Sequence, residues 1–151
     1  MDTKKSIEAL QFFVTHLSEG AFVHKLQGQI FKSAGFNKLG DKYIDHYGEE
    51  MGWVEKFTDR ILDLSGKVKA EGQQPRELIE DPIEYLKADY DIQVKGVELL
   101  RQCMATLTDD PITYDLLKAY LADEEEDQFW SENQLELIEK LGNLPWLIKH
   151  M

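Results

Sequence analysis

The apolar residues of this chain recur at alternating spacings of three and four along four long segments, a period that predicts amphipathic helices. We expect the first helix from about Thr3 to Ser33 and the second from about Asn37 to Leu64. The third is expected from Asp81-Pro82 to about Leu107, and the fourth from Asp110-Pro111 to about Leu141. In both later helices, an aspartate that can cap precedes a proline suited to the first helical position.

The connections between these helices predict the topology. Those joining helices one to two and three to four are short, whereas Ser65 to Asp81 is polar, carries Gly72 and Pro75, and is long enough to run the length of a bundle. This pattern predicts an all-α, ferritin-like four-helix bundle with one long crossover. The tail from Asn143 to Met151 is expected to form a short C-terminal helix, and residues 1–151 are expected to form a single domain.

Composition excludes some classes of function. The formal net charge of −12 argues against nucleic acid as a partner. No apolar run approaches the roughly 18 residues of a membrane span, and the first residues lack the pattern of a signal peptide. The single cysteine, Cys103, excludes an internal disulfide, so we expect a cytoplasmic protein.

Polar residues interrupt the apolar rows near the middle of each helix. Buried carboxylates are costly unless they are paired or bind a cation, so several at one level predict a metal site or its remnant. For His46, a core histidine with satisfied hydrogen bonds is the favoured interpretation. The polar residues concerned are His24, His46, Glu50, Gln93, Glu124 and Asp127.

Di-iron carboxylate bundles take a Glu from each of two helices and a Glu-x-x-His motif from each of the other two. Here Glu50 and Glu124 stand at the start of such motifs, but Trp53 and Asp127 occupy the histidine positions. Both carboxylates are therefore present and both imidazoles are absent.

Several segments resemble the bacterioferritins. The segment EEMGWVEKFTDRILDLSG, residues 49–66, is similar to their second-helix motif, which runs Asp-Glu-Met-Lys-His and later Arg-Ile-Leu before a Gly. LADEEEDQFW and ELIEKLG resemble their fourth helix, and IFKSAGF resembles the end of their first. The resemblance aligns without gaps from Ile7 to Gln93 and resumes, after a short deletion near Thr108, to about Leu141.

The resemblance implies a degraded ferroxidase site. The Glu ligand of the first helix falls on Leu17, and a tyrosine usual near the site falls on His24. Only two of the six ligand positions keep their residue, Glu50 and Glu124. The six positions are Leu17, Glu50, Trp53, Gln93, Glu124 and Asp127. We therefore expect iron, if bound, at a residual site of Glu50, Gln93, Glu124 and Asp127, and we assign no catalytic residue.

Met51 falls on the position at which bacterioferritins ligate haem iron, one methionine coming from each of two subunits. Gly48 and Gly52 lie beside it, and Gly20 and Gly28 occur on the first helix. Mid-helix glycine costs roughly 0.5–1 kcal/mol, so close approach of a flat ligand or a partner helix is expected. Lys25, however, stands where an aromatic is usual. Haem b at Met51 is an expectation, and a plain interface methionine is the alternative.

These observations favour an iron-storage or iron-homeostasis subunit that forms at least a homodimer, with a hollow shell as the larger alternative. It is expected to lack efficient ferroxidase activity, and a mixed assembly with a ferroxidase-competent subunit would compensate. Two alternatives stay open: a structural or interaction protein that keeps only the fold, and a metalloenzyme with a reduced carboxylate ligand set.

Overall fold

The computed structural model describes residues 1–151 and is helical with no strand. The four long helices are α1 (Thr3–Ser33), α2 (Asn37–Asp63), α3 (Pro82–Ala105) and α4 (Pro111–Leu141), and a short α5 (Asn143–Lys149) follows. The all-α ferritin-like bundle predicted from the sequence is confirmed, and α3 ends two residues before the expected Leu107. None of the helices combines the length and apolarity that a bilayer crossing requires.

Aspartates begin three of the long helices. The carboxylates of Asp2, Asp81 and Asp110 accept hydrogen bonds from backbone N–H groups of the first turns of α1, α3 and α4. The start of α2 has no side-chain cap, and the carbonyl oxygen of His150 instead accepts from two of its N–H groups. The C-terminal helix therefore completes the beginning of α2.

The crossover between α2 and α3 lies along α1. The side chain of Gln11 exchanges two hydrogen bonds with the backbone of Lys69, at 2.9 and 3.1 Å. Further along α1, Gln27 exchanges two with the backbone of Ile79, both of 2.7 Å. Because both contacts advance together along the chain, the crossover runs the length of α1 in the same direction, as the topology requires.

Two glycines let α1 and α2 pack closely. A Cβ at Gly28 would lie 2.7 Å from the carbonyl oxygen of Gly40, and a Cβ at Gly40 would lie 2.5 Å from that of Gly28. Close approach of a helix to Gly28 was expected from the sequence, and the helix concerned is α2 of the same chain.

The apolar core consists of two clusters separated along the bundle axis. One surrounds Phe13, Phe57 and Leu117, and the other surrounds Phe31, Tyr43 and Trp146. Trp146 of α5 is fully buried in the second cluster, so the C-terminal helix closes that end of the bundle. Polar side chains fill the space between the clusters.

Candidate metal centre

The polar side chains between the two apolar clusters form one layer, which we call the polar layer. All four long helices contribute to it at about their middle, as the interrupted apolar rows predicted. Its members are His24, His46, Glu50, Asp89, Gln93, Glu124 and Asp127.

His24 is the centre of a buried ion-pair network. Its Nδ1 lies 2.5 Å from Oε1 of Glu50, and its Nε2 lies 2.9 Å from Oδ1 of Asp89. Burial alone would lower the pKa of His24, but the two carboxylates raise it well above 6.5. Burial raises the pKa of Glu50, and the charge of His24 opposes that rise. The imidazolium of His24 thus compensates Glu50 and Asp89.

Glu124 has no such compensation. Its Oε1 is buried and accepts no hydrogen bond, and no cationic side chain pairs with it. Burial, followed by the charges of Glu50 and Asp127, raises the pKa of Glu124 well above 4.5. Gln93 donates to Asp89 at 3.3 Å, but its own Oε1 is buried without a partner. Buried acceptors normally have a hydrogen-bond donor, so Oε1 of Glu124 and Oε1 of Gln93 are both free to bind a donor or a cation.

His46 corrects the interpretation made from the sequence. Its side chain is 2% exposed, yet neither ring nitrogen makes a hydrogen bond. Nε2 lies 3.6 Å from Oδ1 of Asp127, which is beyond hydrogen-bond length. Burial and the positive charge of His24 lower the pKa of His46 to about 4, so its imidazole is neutral at neutral pH. The expected satisfied histidine is wrong because His24, rather than His46, takes the carboxylate partners.

A carboxylate group links α2 to α4 beside His46. Glu49, Asp123 and Asp127 each place one oxygen within 4.8 Å of the other two. Burial and the charges of Asp123 and Glu50 raise the pKa of Asp127 to about 7. Trp53 donates its indole N–H to Oδ2 of Asp123 at 2.8 Å. The tryptophan therefore holds one of these carboxylates as well as packing against the core.

All four residues predicted as a residual metal site line one cavity between α1 and α3, although three of them have partners of their own. Asp127 joins the α2–α4 carboxylate group, whereas Glu50 is bound to His24 and Gln93 to Asp89. Leu17 is buried among the apolar side chains of the first cluster. Glu50, Gln93, Glu124 and Asp127 as metal ligands stay a prediction.

Three contributing residues were not singled out from the sequence. Asp89 lies one helical turn before Gln93, so the spacing of four gave a signal for it. Asp123 has the same spacing from Asp127 on α4. Glu49 is exposed and precedes Glu50, and nothing in the apolar pattern distinguishes it from a solvated surface residue.

Met51 is half-buried on the outer side of α2. A Cβ at Gly48 or at Gly52 would have no atom within 4 Å, so the helix surface on both sides of Met51 is open. The ammonium group of Lys25 lies 4.8 Å from the centre of the ring of Tyr47, which precedes Met51 by one turn of α2. Haem at Met51 therefore stays a prediction, and Lys25 is a charged residue where an apolar haem pocket would have an aromatic one.

Comparison with known proteins agrees with the fold. The family model of the ferritin-like domain matches residues 7–141 of the sequence. A bacterial ferritin of Neisseria meningitidis serogroup B is 33% identical over 129 residues, covering 80% of this chain and 78% of the relative. One from a Synechocystis species is 30% identical over 133 residues, covering 86% and 83%. A bacterioferritin of Streptomyces coelicolor is 29% identical over 124 residues, covering 81% and 74%. The chain therefore belongs to the ferritin family.

Proposed function

We propose that this protein is an iron-storage or iron-homeostasis subunit that binds ferrous iron at the α2–α4 carboxylate group and does not oxidise it rapidly by itself. One observation carries the proposal. Glu49, Asp123 and Asp127 converge, and Asp127 lies 3.6 Å from His46, a buried neutral imidazole whose nitrogens have no partner. Carboxylate oxygens with one imidazole nitrogen suit divalent iron or manganese.

The same geometry argues against rapid oxidation of ferrous iron by this chain. Two irons held close together need bridging carboxylates on both sides, and α1 offers the alkyl side chain of Leu17. Glu50 forms an ion pair with His24, so this ion pair would have to break before Glu50 could bind iron. Trp53 has no lone pair for a metal. The residues present therefore fit one cation on the α2–α4 side better than an iron pair at the bundle centre.

Metal titration of the wild type and two single variants tests this location. Glu49→Gln removes an exposed carboxylate of the group, so it should weaken Mn²⁺ binding at least about tenfold without affecting the fold. Glu55→Gln changes an exposed acid elsewhere on α2 and should bind Mn²⁺ like the wild type. Calorimetry and manganese electron paramagnetic resonance measure both. Unchanged binding in Glu49→Gln, together with loss in Glu124→Gln, would locate the metal at the bundle centre instead.

Assembly is the next part of the proposal. Relatives named ferritins and the open outer surface around Gly48 and Gly52 support at least a dimer through α1 and α2. A mixed assembly with a ferroxidase-competent subunit would supply the oxidation that this chain lacks. A strictly monomeric mass at micromolar concentration would contradict the dimer. We also propose a cytoplasmic location, because Cys103 is the only cysteine.

Haem b at Met51 is a second candidate, favoured by the open helix surface beside the half-buried thioether. When bound, a haem would supply electron transfer to or from stored iron, and Met51 of each of two subunits would hold its iron. Met51→Leu should abolish any haem spectrum and leave the helical circular dichroism unchanged. A Soret band that survives this substitution would refute the role of Met51.

A further inference from the structure

A cavity of about 490 Å³ opens between α1 and α3 beside the crossover. We call it the α1–α3 cavity. Of the α2–α4 carboxylate group, Asp127 lines this cavity, whereas Glu49 and Asp123 do not. Its size falls within the range of small-molecule sites and far exceeds what a single metal ion occupies.

The cavity has apolar walls and an acidic floor. Phe13, Leu17 and Tyr120 are among the wall residues, and the floor contains Glu50, Asp89, Gln93, Glu124 and Asp127. The cationic lining residues are His24, Arg76 and Lys95, and both ring nitrogens of His24 are already bound to Glu50 and Asp89. Six acids line the cavity and outnumber them: Glu19, Glu50, Glu77, Asp89, Glu124 and Asp127. Neither Glu124 nor Asp127 pairs with a lysine or arginine.

The unpartnered atoms of the floor indicate which chemical groups a ligand needs. The buried Oε1 atoms of Gln93 and Glu124 are both acceptors without donors. A ligand that satisfies them must donate hydrogen bonds, and the surplus of carboxylates favours a positive charge. The apolar side chains on the walls cannot hydrate an ion, so they suit a hydrophobic body on the ligand.

We propose that the α1–α3 cavity binds a small organic cation, an ammonium group on a compact apolar body, with the ammonium directed to Glu124 and Gln93. This inference does not rest on iron storage, because its ligand enters between α1 and α3. The cavity and the proposed iron site share only Asp127, and binding is tested on metal-free protein. Binding requires no covalent step.

Benzylammonium is a suitable probe, and benzyl alcohol and benzoate are its neutral and anionic matches. Titration of metal-free protein by calorimetry should give the order benzylammonium, then benzyl alcohol, then benzoate. Loss of the carboxylate in Glu124→Gln should lower the affinity for benzylammonium at least about tenfold, because hydrogen bonds to charged groups are stronger than those between neutral groups. Glu126→Gln, an exposed acid on the same helix, should bind it like the wild type.

Filling the cavity gives an independent readout. A Cβ at Gly96, which lines the cavity on α3, would meet no atom within 4 Å, so Gly96→Leu should block binding while the helical signal is kept. Gly20→Leu fills it from α1, where the nearest atom to a Cβ is Oε2 of Glu50 at 4.0 Å. Ala119→Leu, at an exposed position of α4 outside the cavity, is the matched control. Equal affinity for benzyl alcohol, or undiminished benzylammonium binding in Glu124→Gln or in folded filled variants, would overturn the proposal.

Discussion

Replacing Asp127 by asparagine removes one negative charge from the polar layer and keeps the size of the side chain. Asp127 is 14% exposed and lies beside Asp123, Glu49 and Glu50. With no metal bound, these neighbours and burial oppose its ionisation. We therefore expect Asp127→Asn to stabilise the metal-free protein.

The magnitude follows from the pKa. The pKa of Asp127 is raised from 3.8 to about 7. The unfolded chain therefore loses this proton more readily than the folded chain, and the stability of the wild type falls as pH rises from about 4 to about 7. At about 1.4 kcal/mol for each pH unit, ionisation destabilises the folded protein by roughly 4 kcal/mol at pH 7.5. Because the buried amide also needs partners, we expect the variant to gain roughly 2 to 3 kcal/mol.

Urea denaturation followed by circular dichroism measures this difference at a fixed protein concentration, after dialysis against a chelator. The gain should be largest at pH 7.5 and should disappear near pH 4. Asp115→Asn, an exposed acid on the same helix, controls for the change in net charge. Added Mn²⁺ should stabilise the wild type more than Asp127→Asn. A variant that is less stable than the wild type at pH 7.5 without metal would refute the reasoning.

Three further perturbations test the fold. Gly40→Ala places a Cβ 2.5 Å from the carbonyl oxygen of Gly28 and should lower the free energy of unfolding by about 1–3 kcal/mol in urea denaturation. Trp146→Ala removes a fully buried side chain and should cost about 3–5 kcal/mol in the same assay. Burial opposes ionisation of Asp110, but hydrogen bonds from Thr113 and Ser6 and the charge of Arg60 lower its pKa to about 2. The ionised carboxylate therefore stabilises the folded protein, and this stabilisation should be lost as pH falls from about 4 to about 2. In acid titration of Asp110→Asn, this pH-dependent loss of stability should be missing.

The sequence was sufficient for the helices and the topology. Apolar rows of constant period and the pairs Asp81-Pro82 and Asp110-Pro111 mark the elements, because helix periodicity and capping are local properties. The polar layer could also be located, since charged residues interrupt the apolar rows at one level.

The partners within the polar layer could not be predicted. His24 and His46 both point into the layer, and which one binds carboxylates depends on rotamers and on the spacing between helices rather than on sequence position. His24 meets Asp89 of α3 and Glu50 of α2 together, which leaves His46 without partners. Glu49 is the residue that the sequence was least able to predict. Its proposed role depends on a contact with α4, and the apolar pattern of α2 does not indicate that contact.

The central claim is that this ferritin-family chain binds iron without oxidising it rapidly on its own. The most direct test is stopped-flow absorbance of the wild type after aerobic mixing with two ferrous ions per subunit. We predict oxidation little faster than in buffer, and rapid oxidation only after Leu17→Glu, Trp53→His, Gln93→Glu and Asp127→His are combined. A fast phase that consumes both ferrous ions in the unmodified protein would contradict the account and would indicate that His24 or His46 supplies the missing nitrogen ligand.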